Sequence, residues 1–144
     1  MTRPAFIGFY GETNTGKTTL IVDIIKRLTA KGFKVGTVKI TDKNIGIDTA
    51  EKDTWKYGKA GSELVIFSSP IETDFLYKKS IESSKILNYL EDKEDYDIIL
   101  VEGARDKNIP KVRLGNILER KNTIITYDGN FEKLMEIINN KLRR

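Results

Sequence analysis

The chain has no cysteine and no histidine among its 144 residues. The first absence excludes a disulfide framework and a thiolate zinc site. The second removes imidazole as metal ligand, general base or pH switch. Any catalysis must therefore run on carboxylates, lysines, arginines, hydroxyls and a bound metal. No apolar run approaches the length that spans a bilayer. Met1-Thr2-Arg3-Pro4 leads directly into a strand pattern, leaving no room for a signal peptide, so the expected location is the cytoplasm and no membrane partner is expected. Charge of one sign is also not concentrated anywhere. The formal net charge is +4, but basic and acidic residues are interspersed, and Leu90-Glu91-Asp92-Lys93-Glu94-Asp95 is locally acidic. A nucleic-acid partner is not expected, because neither a basic stripe nor a reader motif is present. The modest positive balance suits a protein that handles polyanionic nucleotides.

What is present centres on Gly11-Glu12-Thr13-Asn14-Thr15-Gly16-Lys17-Thr18. This matches the phosphate-binding pattern G-x-x-x-x-G-K-[ST]. The glycines let the backbone approach a phosphate that a Cβ would keep away. Successive N–H groups and the following helix start form an anion-binding concavity. Lys17 has the reach for β- and γ-phosphates, and the Thr18 hydroxyl can ligate Mg²⁺. The expected nucleotide contacts are Gly11, Thr13, Asn14, Thr15, Gly16, Lys17, Thr18 and Thr19. Ala5-Phe6-Ile7-Gly8-Phe9 before the loop reads as a buried strand, and Thr19 to Leu28 after it as a helix. Strand, glycine loop and helix in that order are the context the motif requires.

Leu20, Ile21, Ile24, Ile25 and Leu28 give that helix one apolar stripe, and Gly32 ends it. Lys34–Lys39 reads as a second strand, completing a right-handed βαβ unit with parallel strands. A polar loop from Ile40 to Thr49 follows, then a short helix within Ala50–Ala60 and a strand over Glu63–Ser68. Phe75 and Leu76 are ambiguous. Ser80–Leu90 has helical spacing, and Asp97-Ile98-Ile99-Leu100-Val101 has the apolar continuity of a central parallel strand. Arg105–Arg120 is charged and weakly patterned, and reads as a loop with at most a short helix. Asn122–Thr126 is another strand, and Asn130 caps a last helix carrying Phe131, Leu134, Met135, Ile138 and Leu142. The expectation is a single domain over residues 1–144 with an α/β, P-loop NTPase-type three-layer fold: a mostly parallel sheet flanked by helices.

Chemistry at a bound triphosphate usually needs a carboxylate near the metal, supplied at the end of another strand. Glu102 follows the apolar run Ile98–Val101 and occupies that position, and Gly103 would let the backbone pass close to the γ-phosphate. The bland alternative is a surface residue at a strand end. Asp97 lies about 17 Å away at the other end of the strand and cannot share the metal. Asp48 sits in the polar loop, where a switch segment could fold over the γ-phosphate and Mg²⁺, although loop aspartates are commonly just solvated. Asp53 suits the first turn of its helix. No Asn-Lys-x-Asp guanine reader is present; Asp128 could read guanine or simply make an Asp-Gly turn.

Several stretches together resemble the molybdopterin-guanine dinucleotide biosynthesis protein B (MobB) family. They are the loop with Thr18-Thr19-Leu20, then Val35-Gly36-Thr37-Val38-Lys39, Ile47-Asp48, Lys52-Asp53-Thr54-Trp55, Ala60-Gly61 and Val101-Glu102-Gly103. The likeness runs from about Phe6 to Gly103. Two departures stand out. Ile40 replaces the histidine usual after the second-strand lysine, and Ala104-Arg105 replaces an aromatic-lysine pair. The resemblance implies a GTP-binding, Mg²⁺-dependent homodimer with weak intrinsic hydrolysis. It would be an adapter beside the MobA-type guanylyltransferase that joins GMP to molybdopterin, and a partner of molybdenum enzymes. It makes Lys17, Asp48 and Glu102 the hydrolytic residues, with Thr18, Asp48 and Glu102 about the metal. With no histidine and no water-positioning glutamine in the loop, hydrolysis should be slow. The alternative is a P-loop kinase acting on a small metabolite, with Arg105, Arg113 and Arg120 supplying a lid.

Overall fold

A computed structural model describes residues 3–142. The described residues pack as two compact units, one made of residues 3–41 and 83–142, the other of residues 42–82.

The larger unit is built on a five-stranded parallel sheet. Its strands are β1 (Ala5–Tyr10), β2 (Val35–Lys39), β5 (Ile98–Glu102), β6 (Lys111–Arg113) and β7 (Thr123–Thr126), in the order β2-β5-β1-β6-β7. Helices α1 (Lys17–Ala30), α3 (Ser83–Glu91) and α4 (Phe131–Leu142) flank it. Four consecutive residues of β5, Ile98 to Val101, are buried. Alternate side chains serve opposite faces of a strand. Ile98 and Leu100 therefore join Ile7, Phe9, Ile24, Leu28, Leu134 and Ile138 on the side of α1 and α4. Ile99 and Val101 join Leu87, Ala104 and Ile109 on the side of α3. Burial on both faces is why this strand shows an unbroken apolar run rather than an alternation. Each such side chain contributes about 1.5–3 kcal/mol relative to exposure.

Helix ends follow the sequence signals. Gly32 takes φ +88 just beyond α1, with its N–H and that of Phe33 closing on Thr29 and Leu28 carbonyls. Asn130 Oδ1 accepts the Lys133 N–H at 3.1 Å, capping α4.

The charged stretch after β5 departs from the expected loop. Lys111–Arg113 is a strand, and it pairs with β1 at Gly8, Phe9 and Tyr10. Three residues, two of them cationic, carry no apolar periodicity; backbone pairing to the central strand makes the strand. The smaller unit also departs from a simple continuation of the parallel sheet. It holds α2 (Asp53–Lys59) and the strands β3 (Leu64–Ser68) and β4 (Thr73–Tyr77), which form a separate two-stranded antiparallel hairpin. The Ser69–Glu72 turn, which contains Pro70, closes it, with Ser69 Oγ accepting the N–H groups of Ile71 and Glu72 at 3.3 Å. Among the described residues no helix is long and apolar enough to cross a membrane.

Candidate functional site

The expected loop spans the gap between β1 and α1. Two left-handed residues shape it, Asn14 at φ +67 and Gly16 at φ +88. Gly11 is required for a different reason. A Cβ there would lie 2.6 Å from the Leu114 carbonyl oxygen and 3.0 Å from Thr15 Oγ1. Thr15 Oγ1 donates to the Glu12 carbonyl at 2.7 Å, tightening the turn. Gly16 is the N-cap of α1, no side chain caps that end, and its first turn holds no acid. The first intrahelical bond is Leu20 N–H to Gly16 O. The N–H groups of Lys17, Thr18 and Thr19 therefore face the loop without a side-chain acceptor, where a helix start favours an anion.

Lys17 folds across the loop. Its ammonium donates to the Gly11 carbonyl and, at 3.1 Å, to that of Glu12. An ammonium has three N–H donors, so two brace the loop and one is left for a phosphate.

Glu102 is in register with Phe9 of β1 and with Lys39 of β2. Paired residues of parallel strands point to the same face, and Phe9 belongs to the core under α1. Glu102 thus shares the face of the helix that begins at Lys17, one residue short of the end of β1. Its carboxylate lies 3.6 Å from Lys39 Nζ, a pair in which Glu102 is largely covered and Lys39 exposed. Gly103 has a structural requirement of its own. At φ +85, its absent Cβ makes room for the Ile40 carbonyl, only 2.2 Å from where that atom would stand. The close approach is to the chain's own backbone. Asp97 sits at the other end of β5, where its Oδ2 accepts the Lys34 N–H at 2.7 Å.

Asp48 lies in the smaller unit with both oxygens engaged. Oδ1 accepts from the Thr54 hydroxyl at 3.0 Å and Oδ2 from Lys78 Nζ at 2.6 Å. The Lys78 hydrogen bond is the main reason this carboxyl is held below its ordinary value, and Thr54 adds to it. Gly58 makes room for the Lys78 side chain, since a Cβ there would meet its Cε at 2.9 Å. Asp53 stands in the first turn of α2, as expected. Asp128 makes the Asp-Gly turn, its Oδ1 accepting the Asn130 N–H at 2.9 Å. Among the described residues no three acidic side chains cluster as a metal cage.

The three arginines of the supposed lid are not alike. Arg113 donates to Thr126 Oγ1 at 2.9 Å and to the Ile117 carbonyl at 3.1 Å. Arg120 donates to the Ala104 carbonyl at 2.8 Å and lies over the Tyr10 ring, 4.6 Å from its centroid. Both are fixed to the sheet rather than free to swing. Burial, and then the charge of Arg105, lower the Arg120 guanidinium from its ordinary value. Sequence reasoning also passed over Lys111, the one buried charged side chain among the described residues. Its ammonium donates to the carbonyls of Asp106, Ile109 (2.9 Å) and Lys121 (2.7 Å). Desolvation lowers its pKa, opposed by the Asp106 charge. Gly8 is the only sequence hint, because a Cβ there would stand 3.3 Å from Lys111 Cγ and 2.5 Å from Ala104 Cβ.

A parallel sheet with a glycine loop between its central strand and an uncapped helix defines the phosphate-loop class of α/β fold. Within that class the chain belongs to the molybdopterin guanine dinucleotide synthesis protein B (MobB) family, whose pattern matches residues 6–139. It is 34% identical over 113 residues to a molybdopterin-guanine dinucleotide biosynthesis adapter protein of Haemophilus influenzae, covering 75% of this chain and 61% of that protein. The Escherichia coli protein of the same description is 32% identical over 111 residues, covering 75% and 63%. The chain thus spans less than two-thirds of the length of these relatives. The fold is similar to that of Bacillus subtilis MobB, with a TM-score of 0.74 at 17% identity, covering 96% of this chain and 98% of that one. A second solved structure, a molybdopterin-guanine biosynthesis protein B, aligns with a TM-score of 0.65 at 23% identity over 96% and 99% of the two chains.

Proposed function

We propose that the chain binds Mg²⁺·GTP at Gly11–Thr18 and serves as an adapter in molybdopterin guanine dinucleotide synthesis, hydrolysing the nucleotide slowly if at all. The observation that carries nucleotide binding is the uncapped start of α1 behind Gly16, bridged by a Lys17 ammonium with one donor to spare. Thr18 and Glu102 are the protein oxygens that would hold Mg²⁺. A role for Asp48 at the metal or γ-phosphate requires its carboxylate to leave Thr54 and Lys78. The guanine preference, the adapter role, the guanylyltransferase and molybdenum-enzyme partners and a cytoplasmic location rest on the family and on the names of the relatives. A homodimer is supported by an exposed apolar strip on the hairpin, where Leu64, Ile66, Phe75 and Tyr77 are each 40–59% exposed. Of the three arginines the kinase reading would use for a lid, Arg113 and Arg120 donate to backbone carbonyls and Arg105 is exposed.

Calorimetry with GTP and ATP, with and without Mg²⁺ and a molybdopterin guanylyltransferase, tests the proposal. GTP binding should be lost in Lys17→Ala, and ATP should bind more weakly than GTP. Unchanged affinity in Lys17→Ala would overturn the site, and equal ATP binding would remove the guanine assignment.

A further inference from the structure

The strand order sets the direction in which a bound nucleotide lies. β5 and β6 flank β1 on opposite sides, and β7 lies beyond β6. Mg²⁺ bridges the β- and γ-phosphates of a triphosphate, and Glu102, which would hold it, ends β5. The γ-phosphate then belongs on the β5 side of β1. The ribose and base extend the other way, across the carboxyl ends of β6 and β7, where ligands of open α/β sheets bind.

Those ends are level. Tyr10, Arg113 and Thr126 stand side by side in register, and backbone bonds continue past them, from Leu114 N–H to Tyr10 O and from Tyr127 N–H to Arg113 O, both 2.8 Å. The glycine loop touches this side directly. The Leu114 carbonyl oxygen is the atom that a Cβ on Gly11 would meet, and a Cβ on Gly115 would stand 3.3 Å from the Thr15 methyl carbon. Tyr127 packs against the core that Leu20, Ile21 and Ile24 of α1 help to build. Two strand spacings separate β1 from β7, so the residue after Tyr127 stands about 10 Å across the sheet end from Gly11. That residue is Asp128.

Asp128 is exposed, and its Oδ1 accepts the Asn130 N–H at 2.9 Å, which orients the carboxylate just beyond the strand. A carboxylate has about four acceptor sites and no donor, so both oxygens can accept again. The Watson–Crick edge of guanine presents two adjacent donors, N1–H and the 2-amino group. Adenine presents an acceptor, N1, beside its amino group, and that acceptor would face a carboxylate oxygen with no proton between them. The other carboxylate in the segments after β6 and β7 is Glu119, farther from its strand end.

Given nucleotide binding at the loop, on which this rests, we propose that Asp128 is the guanine reader, its carboxylate accepting N1–H and the 2-amino group of the base.

The test is calorimetry on the full chain in Mg²⁺ with GTP, ITP and XTP. ITP lacks the 2-amino group and should bind wild type about tenfold or more weakly than GTP, the worth of one hydrogen bond to a charged acceptor. XTP carries a carbonyl oxygen in place of that amine. Asp128→Asn offers this oxygen an amide donor and should reverse the order, XTP binding more tightly than GTP. Asn makes the same side-chain turn as Asp, so the Tm of Asp128→Asn should stay within about 2 °C of wild type. An unchanged GTP-to-XTP ratio in Asp128→Asn would overturn the assignment, as would an equal loss of all three nucleotides. Equal affinity of wild type for GTP and ITP would overturn it too, and a reversal in Glu119→Gln instead would give the role to that residue. Wild-type chain that binds none of the three sinks the nucleotide reading and this one together. GTP binding that Lys17→Ala abolishes, with no change of ratio in Asp128→Asn, sinks this one alone.

Discussion

Gly16 and Gly103 share a backbone conformation, at φ +88 and +85, but not an environment, and the difference can be measured. Around a Cβ on Gly16 no heavy atom lies within 4 Å. Gly16→Ala therefore costs only the left-handed conformation, about 1–2 kcal/mol. A Cβ on Gly103 would stand 2.2 Å from the Ile40 oxygen and 3.2 Å from its carbonyl carbon. No side-chain rotation relieves a clash with backbone, so the chain must move. The bonds at risk are Ile40 N–H to Glu102 O at 2.9 Å and Gly103 N–H to Phe9 O at 2.8 Å. Losing both adds about 1–3 kcal/mol, so Gly103→Ala should cost about 2–5 kcal/mol in all. At about 3 °C per kcal/mol for a chain of this size, the expected drops in Tm are about 3–6 °C and about 6–15 °C. Thermal unfolding by circular dichroism, without nucleotide, reads both. GTP titration should show the opposite order, since Gly16 aims loop N–H groups at the ligand. Equal Tm losses, or a larger one for Gly16→Ala, would refute the reasoning.

Two further predictions concern carboxylates. Asp48 has its folded pKa depressed below 3.8, chiefly by Lys78. Its contribution to stability is therefore present above the unfolded value and lost as pH falls through the folded one. The difference in denaturation midpoint between wild type and Asp48→Asn should be constant near neutral pH and shrink below about pH 4; a pH-independent difference would count against the Lys78 pairing. Glu102→Gln should weaken Mg²⁺-dependent nucleotide binding at least tenfold, while Asp97→Asn should affect stability but not binding. Calorimetry in Mg²⁺ separates them, and equal effects on binding would mean that the wrong end of β5 was chosen.

The parts legible in the sequence were those whose signal is local. Strand β5 announces itself through Ile98–Val101 because both faces are buried, α1 and α4 through their stripes and end residues, and the loop through its glycines. The hairpin was less legible because an antiparallel pair on a small unit leaves Ile66 and Phe75 exposed, so apolar content there does not report burial. β6 was invisible because Lys111 and Arg113 hide a strand whose place is fixed by pairing with Gly8 to Tyr10. At the site, Lys17, Thr18 and Glu102 came from motif and strand position. The engagement of Asp48 by Lys78, thirty residues away, is a tertiary fact with no local trace, and so is the hold of Arg120 on Ala104.

Lys111 acts inside the sheet as a resident monovalent ion, coordinated by three carbonyls and attached to the chain it orders. It cannot be dialysed away, so the order it gives the segment from Asp106 to Ile109 draws on no dissolved cation. The same enclosure turns the amine into a clock. While its neighbours on the surface react with acylating reagents at once, Lys111 can react only when that segment opens, and its labelling rate would time the opening.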